Sequence, residues 1–221
     1  MTVLRGGQPV LETGQPLEQA TAAMVLLHGR GASAADIMTV GEAVQQPGFA
    51  YLAPQAAGSA WYPNPFTAPL ESNEPWLSSA LETVERLLER VEERLPASQV
   101  IVLGFSQGAC LALEFAARHA RRYGGVVGLS GALIGPDDAP RDYPGSLAGT
   151  PVLLGCSDAD PYVSAGLVRE SGEILRRLGG EVDVRIYPDL GHEVNDDEID
   201  EVREMMSALV RRGQAGGRPS R

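Results

Sequence analysis

Four consecutive aliphatic residues, Val100-Ile101-Val102-Leu103, run directly into Gly104-Phe105-Ser106-Gln107-Gly108 and then into an apolar repeat of helical spacing at Leu111, Ala112 and Phe115. Side chains of a strand alternate between two faces, so an unbroken apolar run has to be covered on both, as in parallel sheets flanked by helices. Glycines set around one serine between such a strand and such a helix mark a sharp turn with the serine at its apex. Strand, turn and helix in this order demand a layered α/β architecture.

The same rhythm recurs along the chain. Strand candidates stand at Ala22 to His28, Phe49 to Ala53, Val126 to Leu129, Val152 to Cys156 and Val182 to Tyr187, separated by helical patterns. The clearest helix is expected from Leu77 to Leu95, where Leu77, Ala80, Leu81, Val84, Leu87, Leu88 and Val91 form one apolar stripe and Pro96 stops it. Further stripes run through Leu167, Val168, Ile174, Leu175 and Leu178, and through Ile199, Val202, Met206, Leu209 and Val210. Val3-Leu4 and Val10-Leu11 are candidates for a peripheral antiparallel hairpin. The expected fold is a mostly parallel central sheet with helices on both faces.

With 221 residues and no linker or internal repeat, one domain over residues 1–212 is expected, followed by a flexible tail over 213–221 that holds Arg218 and Arg221 among glycines. Between residues 57 and 75, Pro63, Pro65, Pro69 and Pro75 break up the aromatics Trp61, Tyr62 and Phe66 without a regular period. Long loops of this kind are often functional.

Composition removes several chemistries. All 18 basic residues are arginine, which excludes Schiff-base and P-loop lysine mechanisms. A formal charge of −11 argues against nucleic acid or an anionic membrane as a partner. Cys110 and Cys156 lack the spacing of a disulfide framework or a zinc site and read as small buried hydrophobes. No metal and no cofactor is expected. Without a signal-like start or a run approaching the ~18 apolar residues of a membrane span, the sequence reads as soluble and cytoplasmic, with a homodimer left open.

A serine raised on a strand-to-helix turn is placed for nucleophilic attack, and it needs a base. The chain has three histidines. His119 lies in Arg118-His119-Ala120-Arg121-Arg122, the setting of a solvated histidine near a helix end. His28 leads into Gly29-Arg30-Gly31, a loop suited to presenting backbone N–H groups to an oxyanion. His192 follows the last strand candidate in Leu190-Gly191-His192-Glu193, where α/β sheets carry their chemistry, and is the expected base. The acid that orients it is expected between serine and histidine in chain order. Asp158 and Asp160 share that loop. Asp160 precedes Pro161, so it also fits the N-cap of a helix with proline at its first position, and one residue can do both jobs with different oxygens. Its position at a strand end between Ser106 and His192 favours the catalytic reading. Oxyanion donors, commonly worth about 3 kcal/mol each, are expected from the backbone N–H groups of Gln107 and Arg30. Trp61, Tyr62, Phe66 and Trp76 are the candidate lining of a substrate pocket.

Taken together, Leu27-His28-Gly29-Arg30-Gly31-Ala32-Ser33, Gly104-Phe105-Ser106-Gln107-Gly108, Asp158-Ala159-Asp160-Pro161 and Gly191-His192 resemble the phospholipase/carboxylesterase family of α/β-hydrolases. That family includes acyl-protein thioesterases and small bacterial carboxylesterases. The resemblance implies an α/β-hydrolase fold, a triad of Ser106, Asp160 and His192, an oxyanion hole at Arg30 and Gln107, and a small-molecule ester as the partner. It implies a carboxylesterase acting through an acyl-enzyme, with thioesterase or lysophospholipase action as the alternative and a non-catalytic binding protein further behind. Two positions depart from the thioesterase branch, which usually has leucine at Arg30 and His-Gly at Cys156-Ser157. The Arg30 form looks more like the bacterial esterases.

Overall fold

The computed structural model describes residues 2–3, 9–136 and 139–216, with side chains described from 9 to 136 and from 139 to 212. Eight strands form one sheet: β1 (Thr2–Val3), β2 (Pro9–Gly14), β3 (Ala22–Leu27), β4 (Phe49–Pro54), β5 (Val100–Phe105), β6 (Gly125–Leu129), β7 (Pro151–Ser157) and β8 (Glu181–Tyr187). Their order is β1-β2-β4-β3-β5-β6-β7-β8. The first two joins are antiparallel and all others parallel, so the expected N-terminal hairpin forms through Thr2 opposite Val10. Leu4 lies outside the described residues.

The aliphatic strands sort their side chains by parity. In β5, Val100 and Val102 enter one core with Ala23, Val25 and Val126, against helices α2 (Trp76–Glu92), α3 (Gln107–Arg118) and α4 (Ala165–Arg177). Ile101 and Leu103 enter the other core with Met24, Leu26 and Val127, against α1 (Ala34–Ala43) and α5 (Asp196–Gly216). These four β5 residues are 0% exposed, and truncating Ile101 or Leu103 to alanine is expected to cost about 2–5 kcal/mol. The edge strand β8 is only partly covered, which is why its Val-Asp-Val-Arg pattern alternates.

Two boundaries differ from the sequence expectation. Helix α2 ends at Glu92 rather than Leu95, since Pro96 restricts the backbone before it and Arg94 N–H closes a tighter turn on Val91 O at 3.0 Å. Helix α5 continues to Gly216, past the expected domain end at residue 212. Residues 217–221 lie outside the described residues. Among the described residues, no helix is long and apolar enough to cross a membrane.

From β3 the chain passes to β4 on one side, then crosses back to β5 on the other. The order reverses between β3 and β5. In open α/β sheets, such a switch point opens a crevice at the strands' carboxyl ends. The loops after β3, β5, β7 and β8 all leave from that edge.

Candidate active site

Ser106 follows β5 with φ 56° and ψ −120°, outside the regions an L-residue prefers, and serves as the N-cap position of α3. The flanking glycines make this turn physically achievable. A Cβ on Gly104 would lie 2.1 Å from the carbonyl oxygen of Gly108, and one on Gly108 only 2.0 Å from that of Leu27. The helix therefore starts pressed against both neighbouring strands, and the serine side chain is pushed out at the sheet edge.

The structure brings Ser106, His192 and Asp160 together. Ser106 Oγ is 2.9 Å from His192 Nε2, and His192 Nδ1 is 2.7 Å from Asp160 Oδ2. The Asp160 side chain is fully covered, yet its other oxygen, Oδ1, accepts the N–H groups of Tyr162 at 2.8 Å and Val163 at 3.0 Å. Burial works against its ionisation; the bonds from His192, Tyr162 and Val163 outweigh burial and hold the carboxyl below its ordinary range. Asp160 thus splits its oxygens between a backbone turn and the imidazole. The turn does not open a helix: α4 starts at Ala165, capped by Ser164, whose Oγ accepts from Leu167 N–H. Asp158 is exposed and accepts Asp189 N–H at 2.9 Å, so it fastens the turn after β8.

The imidazole is held between Phe105, 5.0 Å away, and the edge of Tyr162 at 4.9 Å. Ser157, 0% exposed at the end of β7, offers its Oγ to Ala159 N–H and Gly191 N–H, each at 3.0 Å. One hydroxyl thereby ties the loop of Asp160 to the loop of His192. Sequence reading noted Ser157 only as a departure from the thioesterase pattern, and the role it has here required the register of β7 with β8.

The other histidines stand apart from this arrangement. His119 caps the C-terminus of α3, with Nδ1 3.2 Å from Phe115 O. His28 is buried; its Nε2 receives Ala56 N–H at 3.1 Å, which requires an unprotonated Nε2, so Nδ1 carries the hydrogen shared with Gly29 O at 2.8 Å. Burial likewise holds its pKa down, and a neutral His28 fixes the start of the glycine loop.

Arg30 and Gln107 line one cleft of about 770 Å3 with Ser106 and His192. Among the described residues, neither of their backbone N–H groups is bound to a protein acceptor. Gln107 adds a function that sequence reading missed. Its buried amide accepts Trp61 N–H at 2.9 Å and donates to Tyr62 O at 2.8 Å, pinning the long loop to the start of α3. Asn73, also buried, accepts Asn64 N–H at 2.8 Å from the far end of that loop.

Of the four aromatic candidates, Tyr62 and Phe66 line the cleft. Trp61 lies beneath it, 4% exposed, with Nε1 donating to His28 O at 2.8 Å. Trp76 requires a correction: it begins α2, is 55% exposed and is not part of the cleft wall, because the apolar stripe of α2 starts one residue later at Leu77. Cys110 reaches the cleft and Cys156 lies behind Asp160, but burial pushes both thiols up to about 12, so neither supplies a thiolate. Among the described residues, no group of three or more His, Cys, Asp or Glu side chains is arranged to hold a metal ion.

This geometry meets the sequence of known proteins at several points. Acyl-protein thioesterase 1 from Debaryomyces hansenii is 28% identical over 134 residues, which is 59% of this chain and 58% of that protein, so the chain spans little more than half of such a relative. A probable carboxylesterase from Oryza sativa subsp. japonica is 28% identical over 166 residues, covering 73% of this chain and 71% of its own. The crystal structure of a phospholipase/carboxylesterase from Dyadobacter fermentans superposes with a TM-score of 0.87 at 38% identity, over 94% of this chain and 99% of that one. A family model described as Phospholipase/Carboxylesterase matches residues 9–210. Elbow, glycine loop and histidine loop all fall inside that match, and the chain belongs to the phospholipase/carboxylesterase family.

Proposed function

We propose that this protein hydrolyses carboxylic esters of short to medium acyl chains through an acyl-enzyme on Ser106, with His192 as general base and acid and Asp160 as its orienting carboxylate. The continuous hydrogen-bonded path from Ser106 Oγ through the imidazole to Asp160 carries the reading, with spans of 2.9 Å and 2.7 Å. His192 Nε2 takes the serine proton as Oγ attacks the carbonyl carbon, and Asp160 stabilises the imidazolium that results. Backbone N–H groups of Arg30 and Gln107 receive the negative charge on the carbonyl oxygen. The imidazolium then protonates the departing alcohol; in the second half, His192 takes a proton from water as the water oxygen attacks the acyl carbon, and returns it to Ser106 Oγ as the bond from that oxygen to the acyl carbon breaks and the acid leaves.

The names of the fungal relatives favour a second reading, cleavage of thioesters on the same three residues. The chemistry is shared up to the leaving atom, so the same Ser106 is invoked.

A fluorophosphonate probe is expected to label the wild-type protein and to leave Ser106→Ala unlabelled, with hydrolysis of 4-nitrophenyl hexanoate lost in parallel. Equal labelling of both proteins would overturn the assignment. Paired oxygen and thioesters of one acyl chain would separate the two readings by their kcat/KM.

A further inference from the structure

The backbone of Arg30 has a place in the proposed chemistry, but its side chain is also arranged in a specific way. Nη1 donates to Pro63 O and Nη2 to Asn64 O, each at 2.8 Å, and the guanidinium carbon lies 5.9 Å from the centre of the Tyr62 ring. Both acceptors are neutral carbonyls. Among the described residues Arg30 forms no ion pair, and no aspartate or glutamate lines the cleft. In a chain of net charge −11, this leaves a guanidinium at the wall of the site with no carboxylate partner among the described residues. A guanidinium has five N–H donors in a rigid fork, and the two carbonyls take one each. The remaining donors suit a planar anion.

Topology says which part of a substrate would meet it. Arg30 follows β3, on one side of β5, whereas Asp160 and His192 follow β7 and β8, on the other. The leaving oxygen must face His192 Nε2 to be protonated. The opposite wall, formed by Arg30, Tyr62 and Phe66, then faces the acyl group.

We infer that the Arg30 guanidinium is an anion-recognition group of the acyl site, and that the preferred substrates are esters whose acyl chain ends in a carboxylate, that is, half-esters of dicarboxylic acids. This rests on the esterase reading above. Held by Pro63 and Asn64, the cation is in position before the substrate arrives, so binding need not order it. Its contribution falls on the ground state and transition state alike and is read in KM.

The test compares mono-4-nitrophenyl adipate with 4-nitrophenyl hexanoate, which share the leaving group and differ at the acyl end. The expected wild-type kcat/KM ratio favours the adipate by about tenfold, as one charge-assisted hydrogen bond would give. In Arg30→Met that ratio falls to 1 or below, whatever happens to the absolute rates; in Arg30→Lys it stays above 1. Free adipate should inhibit the wild-type enzyme competitively and more strongly than hexanoate, with the advantage lost in high salt. The inference is overturned if hexanoate is hydrolysed and the ratio is the same in wild type and Arg30→Met, or if adipate inhibits no better than hexanoate. It is equally overturned in favour of an alcohol-side anion if 4-carboxyphenyl hexanoate, not the adipate, shows the Arg30-dependent advantage. Failure of the wild type on every ester, with no fluorophosphonate labelling, would instead remove the esterase reading itself.

Discussion

Asp158 and Asp160 stand two residues apart with the same chemistry available, and their environments assign them different work. Asp160 gives Oδ2 to His192 and Oδ1 to two backbone N–H groups, while Asp158 accepts a single N–H from Asp189 on an exposed turn. Asp160→Asn keeps the shape but replaces a charged acceptor with an amide that cannot stabilise an imidazolium. The expected loss in kcat is on the order of 10³- to 10⁴-fold. Asp158→Asn keeps its acceptor oxygen, and an activity within a few-fold of wild type is expected. Steady-state kinetics on one ester measures both; the reverse ranking would move the acid role to Asp158. The residues of this path were legible in the sequence because each follows a strand signal, an apolar run before Ser106 and Asp160 and an alternating one before His192. Ser157 and Gln107 were not, for a physical reason: their side chains bind backbone groups from loops 34 and 46 residues away, and no local pattern encodes such partners.

Elements were more legible than their contacts. Unbroken apolar runs mark the inner strands because they are buried on both faces, and period-3.6 stripes mark α2, α4 and α5, which bury one face, whereas α3 is buried nearly all round. What periodicity does not carry is how closely α3 approaches the sheet. Gly108 measures that approach: a methyl group there would meet Leu27 O at 2.0 Å, Leu27 C at 2.5 Å and His28 O at 2.7 Å, all backbone. In Gly108→Ala, α3 must move away from β3, separating the Gln107 N–H from the loop that carries the Arg30 N–H. A stability loss of about 1–3 kcal/mol is expected. Misplacing one donor by about 1 Å should also lower kcat on the order of 10²-fold with little change in KM. Gly166→Ala is the control. Among the described residues only Ser164 Oγ, at 3.7 Å, lies near that position in α4, and alanine is the better helix former, so unfolding and kinetics should show an equal or more stable enzyme of full activity. If Gly108→Ala matched this control, the elbow would not depend on close packing.

On the scale of the whole molecule, two carboxyl groups pull the pH dependence of stability in opposite directions. Asp160 is held below its ordinary range, so the stability it supplies is present at neutral pH and is lost in acid as the pH falls through its folded pKa. Glu198 behaves inversely. Glu198 stands with Asp196 and Asp197 in the acidic first turn of α5, yet it is 0% exposed and packs against β7, where a Cβ on Gly155 would lie 2.0 Å from its Oε1. Burial raises its pKa from 4.5 to about 7; the N–H of Asn195, bonded to Oε2 at 2.9 Å, opposes the shift, and neighbouring Asp197 adds to it. Between those two values the folded protein keeps a proton that the unfolded chain has released, so stability falls as the pH rises through this window. Above it the cost of the ionised carboxylate reaches about 3 kcal/mol at most. The general repulsion of a chain with net charge −11 also grows with pH, but it is common to wild type and a neutral variant except for one charge. Glu198→Gln keeps an acceptor for Asn195 N–H and cannot ionise. Its stability relative to wild type, measured by urea unfolding, is therefore expected to improve by about 2–3 kcal/mol between pH 5 and pH 8. A difference that does not change with pH would mean that Glu198 stays charged in its buried place.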